Sequence, residues 1–382
     1  MKKALIYGMI FSMAASIQIS AQSWSSLTRL TWNAENSYQP AIAADSGSGI
    51  HIAWKNSSST SSDIFYKRST DSGSTWLGLT RLTWSSGNSD ELAVASDSGS
   101  GIHVAWYDDT WGDNEILYKR STNSGVTWMG LARLTWNSGE SYSPAITADS
   151  SNNIYIIWYD DTMGNYEIFF KSSTNSGAAW STPTRLTWNL GSSRTPSIAA
   201  DPGNNTHVVW SDNSMGSYEI FYKRSTDGGV TWSVLTRLTW NAYGSYNPVI
   251  AADSGNGLHV AWEEAIPGKW DIFYKRSTNS GATWSAPTRM TWTSGDSWYP
   301  SITADTGSGV HIIWSDDNPG DKEIFYKNST NSGVSWSALN RLTWNSGQSW
   351  FPSIAADMSD TIHATWGDDS PGDYEIFYKN RK

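Results

Sequence analysis

Arg29-Leu30-Thr31-Trp32 is the first of seven copies of one tetrapeptide, and its spacing decides the fold. The period is 52 residues at every step, and the later copies begin at Arg81, Arg133, Arg185, Arg237, Arg289 (with Met290 in place of leucine) and Arg341. A period of this length, rich in β-branched and aromatic residues, is typical of a propeller blade rather than of a helical repeat. The sequence therefore predicts an all-β fold, a seven-bladed β-propeller of four-stranded antiparallel blades.

Each repeat divides into four strands separated by turn-forming glycine, aspartate and serine residues. In the second repeat we expect an inner strand over 92–96, a second strand over 102–106, a third over 115–120 and an outer one over 128–135. Seven such repeats occupy residues 23–382 and leave no room for an inserted domain.

The two ends of the sequence match each other. Trp24 lies one period before Trp76, and the last repeat stops after its third strand. We therefore expect residues 24–31 to pair with 375–379, completing the last blade and removing an open sheet edge. The same register predicts an ion pair in every blade between the motif arginine and a carboxylate of the third strand, such as Arg133 with Glu115.

Composition excludes several classes of protein. The 382 residues include 25 Trp and 18 Tyr but no Cys, so disulfide frameworks and thiolate metal sites are ruled out. Only 16% of residues are charged, which excludes coiled coils. A net charge of -10 is a poor match for a nucleic-acid partner.

Residues 1–22 have the pattern of a secretory signal peptide. Lys2 and Lys3 precede an apolar stretch that runs to Ile19, and small residues follow, with cleavage simplest after Ala21. We expect a secreted, periplasmic or cell-surface protein with no membrane span after signal removal.

A second repeated motif follows each third strand. It reads Ser-Thr-Asp-Ser-Gly-Ser-Thr-Trp at residues 69–76, and near-copies begin at Ser121, Ser173, Ser225, Ser277 and Ser329. This motif resembles the Asp-box, or bacterial neuraminidase repeat, of sialidase-like β-propellers. The resemblance implies a structural turn whose tryptophan packs between sheets, on the face opposite the family's active site.

The resemblance does not extend to sialidase catalysis. A sialidase presents three arginines, a Tyr–Glu nucleophile pair and an acidic residue, and the family carries a Phe/Tyr-Arg-Ile-Pro motif that this chain lacks. Arg194 is the one arginine outside the repeat pattern on the loop face. Another hydrolase stays open, because Asp90, Glu91 and neighbouring acids crowd the second blade.

Comparison of the seven copies with one another selects candidate ligand residues. One position at the start of the inner strand varies most, and it reads Tyr38, Asp90, Tyr142, Arg194, Tyr246, Trp298 and Trp350; the next position is also variable and includes Glu91. Four tryptophans fall outside the repeat pattern: Trp111, Trp270, Trp298 and Trp350. All are expected on one face, with the first row around the channel mouth and Trp111 and Trp270 farther out. They are either platforms for sugar rings or blade-to-blade packing.

Acidic and histidine residues recur without suggesting a metal. Pairs such as Asp108-Asp109 follow the second strand in most repeats, where they cap turns or bind a cation or glycan hydroxyls, and Glu263-Glu264 is taken as the equivalent pair. The six histidines share one position in separate blades, whereas a metal needs clustered ligands. No metal and no cofactor is expected.

Taken together, these patterns favour a secreted, non-catalytic and monomeric propeller. It would bind glycans or other extracellular polymers multivalently through one loop face. The alternatives are a sialidase-like glycoside hydrolase and a propeller that serves as a protein-interaction or surface scaffold.

Overall fold

A computed structural model of the chain describes residues 23–32, 35–318 and 320–382. The expected signal segment therefore lies outside the described residues. Within them every regular element is a β-strand, and none of the described residues belongs to a helix that could cross a membrane.

The strands form seven antiparallel sheets of four, as the repeat predicts. The inner strands are β2 (Asn36–Ala44), β6 (Ser89–Ser96), β10 (Ser141–Ala148), β14 (Ser193–Ala200), β18 (Ser245–Ala252), β22 (Ser297–Ala304) and β26 (Ser349–Ala356). The second strands are β3 (Ile50–Ser57), β7 (Ile102–Asp108), β11 (Ile154–Asp160), β15 (Thr206–Asp212), β19 (Leu258–Ile266), β23 (Val310–Asp316) and β27 (Ile362–Asp368).

The remaining strands complete the blades. The third strands are β4 (Ser62–Ser69), β8 (Glu115–Ser121), β12 (Glu167–Ser173), β16 (Glu219–Ser225), β20 (Lys269–Ser277), β24 (Glu323–Ser329) and β28 (Glu375–Arg381). The outer strands are β1 (Thr28–Arg29), β5 (Thr80–Arg81), β9 (Ala132–Arg133), β13 (Thr184–Arg185), β17 (Thr236–Arg237), β21 (Thr288–Arg289) and β25 (Asn340–Arg341).

The outer strands are much shorter than the sequence suggested. Residues 128–135 were expected to form one strand, yet the regular strand is confined to Ala132–Arg133. On either side of it the contact with the third strand is reduced to single hydrogen bonds, from Met129 N–H to the Arg120 carbonyl and from Leu134 N–H to the Ile116 carbonyl. The Trp128 ring packs at 4.9 Å against Tyr66 of the preceding blade.

The hydrophobic core lies between blades rather than inside one. One cluster joins Ala53, Ile64 and Tyr66 of blade 1 to Val104 and Trp106 of blade 2, and all five are at most 2% exposed. Each blade thus needs the next to cover its face.

The N-terminal strand closes the ring by joining the sheet of the last blade. β1 pairs with β28, with Thr28 opposite Tyr378 and Arg29 opposite Phe377, and Leu30 N–H donates to the Ile376 carbonyl at 2.8 Å. The predicted closure is confirmed, and β1 is the fourth, outermost strand of the last blade.

The first three residues of the repeated tetrapeptide each have a structural partner. The arginine pairs with a third-strand carboxylate in every blade, as predicted; Arg29–Glu375 is 2.7 Å and Arg185–Glu167 is 2.8 Å. The second residue is buried, and the threonine hydroxyl accepts a third-strand N–H, as Thr83 does from Ile64 at 2.9 Å. Such cross-strand pairs contribute about 0.2–1 kcal/mol each.

The turn after each third strand explains the second motif. In blade 2 the Ser121 hydroxyl accepts the Gly125 N–H at 2.9 Å, and the Asn123 side chain accepts the Thr127 N–H at 2.9 Å. Gly125 has φ +75°, and a Cβ there would lie 1.9 Å from the Tyr66 hydroxyl of the preceding sheet. The glycine is therefore required both by the turn and by contact between blades.

The closure strand should dominate stability at the chain ends. Deleting residues 24–31 removes the Arg29–Glu375 ion pair and uncovers the core that Leu30 fills, so a fall of many degrees in Tm is expected by calorimetry. Removing the exposed Lys382 is the control and should leave Tm unchanged. Equal Tm values for the two deletions would contradict the closure.

Buried and exposed tryptophans of the same blade should differ sharply. Trp106→Ala truncates a side chain that is 0% exposed and should lower the free energy of unfolding by about 3–5 kcal/mol. Trp111, which is 50% exposed, is the matched control, and Trp111→Ala should change it by no more than about 0.5 kcal/mol. Urea titration measures both, and a comparable loss in the two variants would contradict this packing.

Candidate functional site

All seven inner strands share one irregularity near their first residues. The register of pairing with the second strand shifts there, for example between Tyr38 and Ala41 in β2. The residue at the slip has a positive φ in every blade, from 42° to 53°, and these residues are Gln39, Glu91, Ser143, Thr195, Asn247, Tyr299 and Phe351.

This backbone conformation is strained. None of the seven residues is glycine, and six of them precede a proline, which further disfavours it. A non-glycine residue held in a sparsely populated region costs about 1–3 kcal/mol, and such residues cluster at ligand sites. Serine has a similar positive φ in five of the turns after the third strands, such as Ser124 at 49°, so what distinguishes this row is that its residue type differs from blade to blade.

The same seven residues surround a cavity on the propeller axis, which we term the axial pocket. Its volume is about 380 Å³, and its wall is completed by the residues that follow them, such as Pro40 and Pro300. Because every blade contributes one side chain, each can differ, and the pocket has no sevenfold symmetry.

The row selected from the sequence consists of the residue just before each of these seven, and it lies outside the axial pocket, between neighbouring blades. We term it the mouth ring, and its members are Tyr38, Asp90, Tyr142, Arg194, Tyr246, Trp298 and Trp350. None of them is fully buried and none is strongly exposed. Each pairs with the residue after the second-strand tryptophan, such as Tyr246 with Glu263.

One side of the mouth is aromatic. The rings of Trp298 and Trp350, from blades 6 and 7, lie 5.7 Å apart, and those of Tyr299 and Phe351 lie 4.5 Å apart. The Lys322 ammonium lies 4.3 Å from the Trp350 ring centre. Blade-to-blade packing therefore accounts for part of the contacts of Trp298 and Trp350, while Tyr299 and Phe351 face the axial pocket.

The opposite side is polar. Lys55 forms a buried ion pair with Asp90, and the charge and hydrogen bond of Asp90 raise the pKa of Lys55 although burial acts to lower it. Burial raises the pKa of Glu91, whose carboxylate accepts a hydrogen bond from Ser143. These groups join blades 1, 2 and 3.

Between the two sides lie further tyrosines and the arginine. Tyr142 packs at 5.1 Å from Tyr107 and at 5.5 Å from Tyr159. Burial raises the pKa of Tyr107 and Tyr159. The Arg194 guanidinium lies 4.4 Å from the centre of the Tyr166 ring.

Glu263 holds the blade 5 side of the pocket. Its carboxylate accepts the Tyr299 N–H at 2.6 Å and an amide hydrogen of Asn247 at 2.9 Å, and it is 4% exposed. Burial raises its pKa to about 7 against those two hydrogen bonds. Glu263 thus fixes two of the residues that line the axial pocket.

Three buried polar atoms around the mouth have no hydrogen-bond partner among the described residues. They are Gln39 Oε1, Arg194 Nε and Ser315 Oγ. An unpaired buried polar atom costs about 1–3 kcal/mol, so each suits a water or ligand partner.

Two positions differ from the expectation. Trp270 was expected in a loop, but β19 and β20 are long enough to include it, and its ring packs at 5.2 Å against Tyr246 of the mouth ring. Glu263 is not the equivalent of Asp108, since it directly follows the second-strand tryptophan; Glu264 is the equivalent. Trp111 lies farther out on the same face, as expected.

The paired acids and the histidines serve the fold. Asp108 accepts hydrogen bonds from Ser89 at 2.7 Å and from the Thr110 N–H at 2.9 Å, which caps the turn. His103 bridges Tyr118 at 2.6 Å and Asp97 at 3.2 Å within its own blade. Among the described residues no three possible metal ligands of these types come together.

An arginine triad is not assembled at the mouth. The seven motif arginines are paired with carboxylates, and Arg68, Arg120, Arg224 and Arg276 donate to carbonyls of the Ser-Gly turns on the opposite face. In the part of the chain that the structure describes, Arg194 is the one arginine of the mouth ring.

Sequence comparison overlooked one informative position. The residue after the second-strand tryptophan reads Lys55, Tyr107, Tyr159, Ser211, Glu263, Ser315 and Gly367, and it varies as strongly as the mouth ring that it pairs with. Aligning the copies on that tryptophan would have found it.

Comparison with known proteins supports the fold. No family model matches the chain, and no curated protein matches it either. Among solved structures, a protein of unknown function from Dyadobacter fermentans is 11% identical, with 95% of this chain and 100% of that chain covered and a TM-score of 0.59.

Two further structures are of proteins named for their action on glycans. An ulvan lyase, of a new polysaccharide lyase family, is 10% identical over 92% of this chain and 95% of its own, with a TM-score of 0.63. The Hadza microbial sialidase is 14% identical over 86% and 76%, with a TM-score of 0.56. At these identities the likeness extends to the propeller architecture alone.

The raised pKa of Glu263 predicts a pH-dependent stability. A carboxyl with a folded pKa of about 7, against its usual 4.5, favours the folded state fully below pH 4.5, and that advantage disappears as pH rises to 7. Glu263→Gln should therefore gain stability relative to the native protein between pH 5 and pH 8, by on the order of 2–3 kcal/mol.

Urea unfolding at the two pH values measures this difference. Asp113→Asn, a change of an exposed acid in the loop between β7 and β8, is the control for general charge effects and should show little relative change. A native-to-Gln difference that stays constant across the range would contradict burial of a neutral Glu263.

Proposed function

We propose that the protein is a secreted, non-catalytic propeller that binds carbohydrate at the axial pocket. The observation that carries this is the ring of seven strained, non-glycine residues that point different side chains into one cavity. A purely structural turn would repeat one residue type, as the turns after the third strands repeat serine at a similar positive φ.

The two sides of the pocket suit the two surfaces of a sugar. Tyr299 and Phe351 offer aromatic rings for the apolar C–H face of a pyranose. Glu91, Ser143 and Asn247 offer hydrogen-bonding groups to its hydroxyls. A volume of about 380 Å³ lies at the low end of ligand pockets, which favours one or two sugar units, such as a chain end.

The related folds are consistent with this ligand class. The ulvan lyase and the sialidase are named for action on glycans, and the analogy with them is one of fold. We further propose that the chain is exported, that its leader is removed, and that it acts as a monomer.

A glycoside hydrolase is the second candidate, and one observation favours it. Glu91 and Glu263 both have raised pKa values through burial, as a general acid requires. Glu263, however, is occupied by Tyr299 and Asn247 and is nearly inaccessible. Turnover of a panel of fluorogenic glycosides that is lost in Glu91→Gln would favour the enzyme over the binding protein.

Glycine variants test the binding site without disturbing the backbone. Tyr299→Gly and Phe351→Gly remove the rings but suit the positive φ at these positions, so Tm should be kept or raised. Affinity for a ligand found on a glycan array should fall about tenfold, because a lost aromatic contact is worth about 1–1.5 kcal/mol.

Ser100→Gly is the matched control, since its φ of 69° is also positive and it lies in the exposed turn between β6 and β7, away from the pocket. It should weaken binding much less than the other two variants. Full binding by Tyr299→Gly and Phe351→Gly together would overturn the axial pocket as the site. Binding of this protein to other proteins, with no binding to any glycan of the array, would favour the scaffold function instead.

A further inference from the structure

The fourth residue of the repeated tetrapeptide contacts the arginine of its own copy, whose guanidinium carbon lies 4.2–5.9 Å from the indole centre in every blade, yet the indole stays exposed to solvent. Its seven indoles are the most exposed tryptophans of the chain, between 67% and 74%: Trp32, Trp84, Trp136, Trp188, Trp240, Trp292 and Trp344. The second-strand tryptophans, by contrast, are at most 1% exposed. Exposed tryptophan at every repeat is not explained by packing.

These indoles lie on the same face as the axial pocket, near its outer edge. Each follows an outer strand and precedes the inner strand of the next blade, so it lies at the end of the blade where inner strands begin. The loops between second and third strands emerge at that same end.

In blades 2 and 3 the indole forms one wall of a groove, and we term the equivalent place beside each of the seven indoles a rim groove. The groove of blade 2 has a volume of about 340 Å³ and is lined by Trp84, Trp106, Trp111 and Lys119. The groove of blade 3 has about 350 Å³ and is lined by the equivalent Trp136, Trp158, Met163 and Lys171. Two independent cavities thus repeat with the period of the sequence.

A lysine accompanies the indole in every blade. Lys119 donates to the Leu82 carbonyl at 2.6 Å and lies 5.3 Å from the Trp84 ring centre. The other six lysines donate to the equivalent carbonyl, and they are Lys67, Lys171, Lys223, Lys275, Lys327 and Lys379. One hydrogen bond leaves two ammonium donors on each lysine for other partners.

We propose that the rim grooves are seven equivalent subsites for the pyranose rings of a polysaccharide, with the indole stacked on the sugar and the lysine donating to its oxygens. This inference takes its ligand class from the proposed function and adds the residues that make binding multivalent. Weak single sites that engage one polymer together can exceed either affinity alone by about 10²–10⁴.

The geometry favours a polymer over a folded partner. A stable protein interface needs about 800 Å² of continuous surface on each side, whereas the rim presents small separate grooves. A polysaccharide repeats its units as the rim repeats its grooves.

Three grooves with apolar opposite walls offer the sharpest test. The residue facing the indole is Trp111 in blade 2 and Met163 in blade 3, and the equivalent residue in blade 4 is Met215. We would compare the native protein with a triple variant carrying Trp84→Ala, Trp136→Ala and Trp188→Ala. The exposure of these side chains predicts a Tm close to native.

Affinity electrophoresis in gels containing laminarin, a neutral glucan, or alginate, a uronate polymer, provides the readout. The triple variant should lose retention by about tenfold or more, and its binding of a short oligosaccharide at the axial pocket should be unchanged. Tyr299→Gly should show the reverse, losing the oligosaccharide while keeping part of the polymer retention.

One control variant and one further test variant separate the rim grooves from general surface effects. A variant with Val126→Ala, Val230→Ala and Val234→Ala removes exposed apolar side chains outside the rim grooves and should be retained like the native protein. Lys119→Gln, Lys171→Gln and Lys223→Gln together leave every indole in place and should lower retention if the ammonium groups contact the sugar.

The outcomes are distinguishable. Native retention by the tryptophan triple variant, together with loss of all binding in Tyr299→Gly, would overturn the rim grooves and leave the proposed function intact. Retention of the native protein by neither polymer, with no oligosaccharide bound, would overturn both.

Discussion

Closure of the ring is the constraint on which the rest of the structure depends. The hydrophobic clusters lie between successive blades, so a blade without a neighbour exposes one of them. The last interface forms because β1, the first strand of the chain, joins β28 near its other end. A sheet of separate hairpins would be marginal, whereas a closed ring covers each blade on both sides.

Closure also explains where variation is tolerated. Residues packed between blades are tied to a neighbour, as the turn glycines Gly125 and Gly177 are to Tyr66 and Tyr118 of the preceding sheet. Residues that line the axial pocket touch their equivalents in neighbouring blades, as Tyr299 touches Phe351, but their side chains end in a cavity rather than in the core. The axial pocket can therefore differ in all seven blades.

The sequence predicts the repeated framework of the propeller well because seven copies carry the same residues at the same positions. The period, the closure and the arginine–carboxylate pairs are local or cross-strand rules, and all three are confirmed. The axial row was harder to recognise, because the positive φ of Thr195 or Tyr299 results from the pairing slip and from no residue preference. Glu263 escaped because it was grouped with the acidic pairs of the loops, although it directly follows the second-strand tryptophan as Tyr107 does. The exposure of Trp84 was not predicted, because a residue present in every copy was interpreted as a packing residue.

The most direct test of carbohydrate binding on this face is an indole NMR titration of the native protein with an oligosaccharide from the glycan array. The account predicts saturable shifts for Trp298 and Trp350, which pack beside the axial pocket, and no shift for the second-strand tryptophans such as Trp106, which are buried. Shifts confined to tryptophans of the turns on the opposite face, such as Trp128, would contradict it.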